Sequence, residues 1–167
     1  MEQTFISQSF NGGFPMEDMF KDLEPMVYKS GINVPYHWWA GDTASKFLIA
    51  LRDEKKITGT KCGKCNKVFI PPRKTCPACF TENREWVDVS DTGTVQAFTI
   101  ARRQLAALQK TAPVCFGLIK LEGADTSLLH YLGEVEPGAI KIGMRVKAHF
   151  SEKRKGLITD IEYFKPV

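Results

Sequence analysis

The chain has 167 residues and a mass of 18.8 kDa, room for one ordinary domain or two small ones. Its 43% hydrophobic and 25% charged residues exclude wholesale disorder, and a net charge of +4 is too modest to name a partner by itself. No apolar run approaches the roughly 20 residues that cross a bilayer, and Met1-Glu2-Gln3-Thr4 lacks the basic start and apolar stretch of a signal peptide, so a cytoplasmic protein with no membrane partner is expected.

The charge is unevenly spread. Residues 1–35 hold five acids against two bases, while residues 52–84 hold nine bases against three acids, a local excess of +6. Such an excess attracts an anion: nucleic-acid phosphate, a phosphorylated cofactor or an acidic protein surface.

In residues 1–35, three glycines and three prolines break any helical or strand period. Yet Phe5, Phe10, Phe14, Met16, Met19, Phe20 and Met26 are too apolar for a solvated tail. The arm therefore packs either on its own domain or around a partner chain. Next comes Tyr36-His37-Trp38-Trp39-Ala40-Gly41, whose two adjacent tryptophans serve either a small core or a partner contact. Asp42 or Thr43 then caps a helix expected over residues 44–57, with Phe47, Leu48, Leu51 and Lys55 on one face and Gly59 as its stop.

Two Cys-x-x-Cys turns follow, Cys62-Gly63-Lys64-Cys65 and Cys76-Pro77-Ala78-Cys79, ten residues apart. Cys62, Cys65, Cys76 and Cys79 can offer four thiolates to one tetrahedral ion, with sulfurs about 2.3 Å from the metal. Zinc is the leading ion and iron in a similar cage its rival. Four sulfurs leave no open position for water or substrate, so the metal is structural. Cys115 reads as a free buried thiol, and His37, His130 and His149 share no spacing.

From Trp86 onward the period becomes two. Strands are expected over residues 86–90, 94–102, 114–121, 128–135, 144–150 and 157–164, the first short or continuous with the second. Asp91-Thr92-Gly93, Glu122-Gly123 and Pro137-Gly138 are read as turns, and residues 104–110 as a possible helix. An antiparallel set of this length closes most economically as a small Greek-key barrel such as an OB-fold. No Ser-His-Asp set, paired carboxylates or glycine-rich phosphate loop can be assembled, which points away from chemistry by this chain alone.

A zinc ribbon before an OB-like barrel also suits a single-stranded nucleic-acid binder. The outward strand positions are expected to hold few aromatics, and the basic excess lies in the ribbon, so nucleic acid is the alternative rather than the main reading.

The chain resembles the small rubredoxin-like zinc-ribbon/OB-fold proteins that accompany thiolases and related acyl-CoA enzymes. The matching stretches are Lys61 to Cys65, Val68-Phe69-Ile70-Pro71-Pro72-Arg73, Cys76 to Cys79, Asp91-Thr92-Gly93-Thr94-Val95 with Phe98-Thr99, and Ile142-Gly143-Met144-Arg145-Val146. They span roughly residues 44–164, and the Pro-Pro-Arg is the most specific. Asn66 stands where a glycine is common, but asparagine tolerates a left-handed turn; Phe80 after the second pair is a second departure.

The resemblance implies a mainly β protein: an N-terminal helical arm and helix (residues 1–57), a rubredoxin-like zinc ribbon (58–85) and a small OB-fold-like antiparallel barrel (86–167). It implies a non-catalytic accessory subunit with structural Zn²⁺, a thiolase-like catalytic partner carrying the nucleophilic cysteine, and an acyl-CoA or CoA site shared with that partner. Arg73 and Lys74 are the candidates for the CoA phosphates, because a guanidinium fork suits them; a carboxylate partner for Arg73 is the competing reading. Arg102 and Arg103 form a second candidate basic patch.

Overall fold

Gly41, at φ 84°, turns the chain into the helix α1 (Asp42–Glu54), whose first bond runs from the Ser45 N–H to the Gly41 carbonyl at 2.9 Å. This computed structural model describes residues 21, 22, 24, 26–29, 31, 32, 34–104 and 110–167. The chain divides into two compact units, residues 1–37 and 38–167. In the first, the described residues carry no helix, and the apolar positions expected at Phe5 to Phe20 lie outside the described residues. The segment expected as a helix near residues 104–110 falls largely outside them as well.

α1 buries Phe47 and Leu51, one turn apart, and ends at Lys55, which adopts the left-handed conformation at φ 55°. Two sequence expectations are corrected here. The cap is Gly41, without a side-chain bond, rather than Asp42 or Thr43. The helix also stops five residues before Gly59, because the apolar residues that follow, starting at Ile57, are claimed by a strand. The last turn is closed from outside: Arg154 donates from Nε to the Arg52 carbonyl at 2.6 Å, placing a cation at the negative helix end.

The strands β1 (Ile57–Lys61), β2 (Val68–Phe69) and β3 (Glu85–Val89) form an antiparallel sheet in the order β2-β1-β3. Gly59 sits mid-strand because a Cβ there would come within 2.9 Å of the Phe69 carbonyl. β3 was expected at the start of the barrel, yet it pairs with β1 through Thr60↔Trp86 and Ile57↔Val89. Alternation says which face of a strand is apolar and nothing about its neighbour.

The remaining strands are β4 (Thr92–Ala101), β5 (Val114–Leu121), β6 (Ser127–Leu132), β7 (Arg145–Phe150) and β8 (Ile161–Pro166). They close as a barrel, β4-β5-β6-β8-β7, with one parallel pairing at Leu132↔Phe164. This is the five-stranded Greek-key order of an OB-fold. Thr92 and Gly93, read as turn residues, belong to β4: Gly93 pairs with both Leu121 and Val146, so the strand bridges two neighbours. The final strand begins later than the expected residue 157, after a 3₁₀ turn at Ile158–Asp160.

A single apolar cluster runs through all three parts. It joins Phe47 and Leu51 of the helix, Ile57 and Val89 of the ribbon sheet, and Val95, Ile119, Val146, Ile161 and Phe164 of the barrel. Polar bonds reinforce the seam between ribbon and barrel. The Val68 N–H donates to the Asp125 carboxylate at 2.8 Å, the Asp125 N–H returns to the Val68 carbonyl at 2.9 Å, and the Thr126 hydroxyl accepts from the Ile70 N–H and donates to its carbonyl.

Gly93 tests the barrel closure. A Cβ at this position would lie 2.5 Å from the Lys120 carbonyl oxygen, which is backbone and cannot yield cheaply. Gly93→Ala is expected to destabilise the protein by about 1–3 kcal/mol in urea unfolding.

His130 gives a pH prediction. It is buried inside the barrel, its Nδ1 accepting from the Tyr131 N–H and its Nε2 facing the Ile158 carbonyl at 3.2 Å. Burial, with the Lys110 charge adding to it, lowers its pKa below the usual 6.5, against the opposing effect of its hydrogen bonds. The folded state therefore binds fewer protons than the unfolded chain, so stability is full above about pH 6.5 and falls on acidification through it. The unfolding free energy, measured from about pH 7.5 down to about 5, is expected to drop more steeply for the wild type than for His130→Phe.

Candidate metal centre

Both Cys-x-x-Cys turns are built the same way. The Asn66 N–H returns to the Cys62 carbonyl at 2.8 Å and the Phe80 N–H to the Cys76 carbonyl at 2.9 Å, while Cys62 and Cys76 donate to the Lys67 and Thr81 carbonyls at 2.9 Å. Closing each turn puts the residue after the second cysteine in the left-handed region, Asn66 at φ 59° and Phe80 at φ 54°. Asparagine suits that conformation, as expected; phenylalanine pays a steric cost there and is left exposed.

The turns bring the sulfurs of Cys62, Cys65, Cys76 and Cys79 within 4.8 Å of one another, with Cys65 and Cys76 at 3.8 Å. A tetrahedron with zinc–sulfur bonds of about 2.3 Å has edges of about 3.8 Å, so the donor set fits the ion. Among the described residues this is the one such group of potential ligands. Cys62 and Cys76 are fully buried, and the surrounding cluster adds only Phe69 as a fully buried apolar side chain.

Electrostatics point the same way. The Cys65 backbone amide, helped by the Thr81 hydroxyl, brings the Cys62 thiol down to about 6. Burial and the neighbouring sulfurs push Cys79 up to about 12. Four thiolates cannot coexist there without a compensating cation, and a divalent ion supplies that compensation. The chemistry of such a closed site is structural.

The two candidates for CoA phosphate have different settings. Arg73 is held by its backbone, its N–H donating to the Thr60 hydroxyl and its carbonyl accepting from that hydroxyl and from Asn83 Nδ2. Lys74 lines a cavity of about 390 Å³ with Lys46, Arg84, Trp86 and the carboxylates of Asp42 and Glu82 beside the start of α1, Arg84 being paired with Glu82 at 2.9 Å. Lys46 places its ammonium 4.4 Å from the centre of the Trp86 ring. Sequence reasoning missed Lys46, Arg84 and Trp86 as companions of Lys74, because only the folded sheet sets Trp86 beside a helix forty residues earlier. A second cavity, of about 590 Å³, is lined by Lys110, Lys153, Lys155 and Tyr131 on the barrel.

The other sequence candidates stay apart. Burial pushes the Cys115 thiol up, against a weaker opposing effect of Arg102. Arg102 and Arg103 are exposed just after β4. His149 stacks on Tyr163 at 4.7 Å. The outer face of β4–β6 also departs from expectation. It presents Phe116 and Tyr131 as well as Leu118 and Leu129, with Phe116 and Tyr131 in contact at 5.0 Å. No helix among the described residues is long and apolar enough to cross a membrane.

A four-sulfur ribbon packed on a five-stranded barrel defines a zinc-ribbon/OB-fold protein, and the sequence agrees in both halves. Residues 50–84 match the ChsH2 rubredoxin-like zinc ribbon domain and residues 86–151 the ChsH2 C-terminal OB-fold domain. A DUF35 domain-containing scaffold protein of Pyrococcus furiosus is 31% identical over 127 residues, covering 74% of this chain and 92% of that protein. A second, from Methanothermobacter thermautotrophicus, is 27% identical over 115 residues, covering 66% and 86%. The chain belongs to the DUF35 family. Among solved structures, the Ltp2-ChsH2(DUF35) aldolase shares the fold at a TM-score of 0.60 and 23% identity, over 77% of this chain and 98% of that one. A DUF35 protein of unknown function from Sulfolobus solfataricus gives 0.53 and 29%, over 65% and 78%.

Because the ribbon's own core is so small, metal and fold are linked. Chelation of the ion, or Cys76→Ser, is expected to strip amide-exchange protection from β1–β3 while β4–β8 keep most of theirs. Metal analysis of the untreated protein should return one zinc per chain.

Proposed function

We propose that this chain is a non-catalytic, zinc-stabilised accessory subunit of an enzyme that processes acyl-CoA, with a thiolase-like catalytic partner. The carrying observation is the closed four-sulfur centre fused to a rigid barrel, which supplies a platform and leaves no open metal position. Support comes from the relatives described as scaffold proteins and from a fold neighbour found in an aldolase assembly.

In this reading Cys62, Cys65, Cys76 and Cys79 ligate Zn²⁺, and the working parts are the N-terminal extension with its helix, the zinc ribbon with β3 included in its sheet, and the barrel. The partner contributes the nucleophilic cysteine. Lys74, with Arg73 nearby in sequence, meets the phosphates of CoA, helped by Lys46 at the same cavity. The finer assignment follows the long N-terminal arm and the overall pattern, which resemble the small subunit of benzoylsuccinyl-CoA thiolase in anaerobic toluene degradation. The reaction of the complex is then thiolytic cleavage of benzoylsuccinyl-CoA by CoA to benzoyl-CoA and succinyl-CoA. Against the nucleic-acid alternative stand the relatives, described as scaffold proteins, and the fold neighbour found in an aldolase assembly.

The test is native purification through a tag on the full chain, with the companion identified by mass spectrometry. A thiolase-like protein is expected to co-elute, the complex to turn over acyl-CoA with free CoA, and the isolated chain to show no turnover. Activity from the chain alone, or a native assembly without an acyl-CoA enzyme, overturns the reading.

A further inference from the structure

The stretch of chain leading into α1 exposes apolar surface on a scale unlike the rest of the protein. Met26 is 97% exposed, Tyr28 88%, Ile32 92%, Tyr36 68%, Trp38 82% and Trp39 76%. Between residues 25 and 41, Lys29 is the only lysine, arginine, aspartate or glutamate, so the segment lacks the charge that keeps a free polar tail in solution. We propose that the exposed apolar side chains of Met26, Tyr28, Ile32, Tyr36, Trp38 and Trp39 act as a strap that lies in an apolar groove of the catalytic subunit, with Trp38 and Trp39 as its anchors. The proposal rests on the accessory-subunit reading and names the element that makes the contact.

Three observations favour a protein groove. The first is scale: four aromatic side chains at about 150–250 Å² each bring roughly 600–1,000 Å², close to the ~800 Å² that one side of a standard interface buries. Paired exposed tryptophans also match the residue type that dominates binding energy. The second is the root. Trp39 lies two residues before Gly41, and α1 is fixed by Phe47 and Leu51, 4% and 0% exposed in the common core. The anchors therefore leave a rigid body, and only the strap itself must be ordered on binding.

The third is the backbone. The described residues from 24 to 41 form neither helix nor strand. Burying such a segment requires partners for its N–H and C=O groups, which a protein groove supplies and a hydrocarbon layer does not. A lone lysine also gives little attraction to anionic lipid headgroups.

The experiment uses the full-length chain and the purified catalytic subunit that co-elutes with it. Trp38→Ala/Trp39→Ala is compared with the wild type by titration calorimetry and by tryptophan emission, and zinc content and thermal melting check that the exposed substitutions leave the fold intact. The expected result is a loss of affinity of at least about 100-fold, with a blue shift of emission on complex formation in the wild type that the double variant lacks. Equal affinity of the two proteins overturns the strap while leaving the accessory role standing. A wild type that binds no catalytic subunit overturns the accessory reading itself. A blue shift produced by phosphatidylglycerol vesicles, with no shift from the catalytic subunit, assigns the tryptophans to lipid and overturns the strap.

Discussion

The cage of four sulfurs is the constraint on which the ribbon depends. Between Cys62 and Cys79 the fully buried apolar side chains are few, and the local cluster around the site is two cysteines and Phe69. So little burial cannot offset the entropy of ordering two turns and a hairpin, at roughly 1–2 kcal/mol per residue. The turn bonds from Asn66 and Phe80 close the two turns, and four thiols packed this closely cannot all ionise without a compensating cation. A divalent cation converts that conflict into the cross-link holding the turns together.

What the ribbon gains from the metal it passes to the rest of the molecule. β2 is short, yet its edge is bound by Asp125 and Thr126 of the barrel, and β1 and β3 feed Ile57 and Val89 into the barrel's own core. Helix, ribbon and barrel therefore behave as one packed body. Such a body presents its surfaces at fixed spacing, which is the property a docking platform needs. The cavity holding Lys46, Lys74, Arg84 and Trp86 draws on both helix and ribbon, so its shape depends on the same packing.

The parts of this design that rest on local spacing were legible in the sequence. The paired Cys-x-x-Cys turns, the left-handed tolerance of Asn66 and the alternation of Val146 and Ala148 all follow from near neighbours. The misreadings share one cause, which is that partners in a sheet are chosen by tertiary packing. Gly59 looked like a helix stop and is a strand residue kept small by the Phe69 carbonyl. Gly93 looked like a turn and is the point where β4 touches two strands at once. Trp86 alternates as any strand residue does, and only the β1–β3 register reveals that it belongs to the ribbon sheet rather than to a barrel strand. The cavity was half visible through Lys74; among its other members Lys46 comes from α1, Trp86 from β3 and Arg84 from the residue just before it, brought together by that same register.

The cysteines and the buried histidine of this chain are disposed by packing rather than for reactivity. Four of five cysteines are turned toward one another, where a bound ion leaves them coordinatively saturated. The fifth, Cys115, lies in the barrel wall with its thiol pushed up by burial, the opposite of what an attacking thiolate requires. His130 is kept neutral by the same burial and has both ring nitrogens facing backbone groups, so it can neither take nor deliver a proton to a ligand without breaking the core. Packing that stabilises the barrel is thus the packing that disarms these groups. A nucleophile and its base need the reverse arrangement, partial exposure with a partner poised to move a proton, and neither Cys115 nor His130 has it.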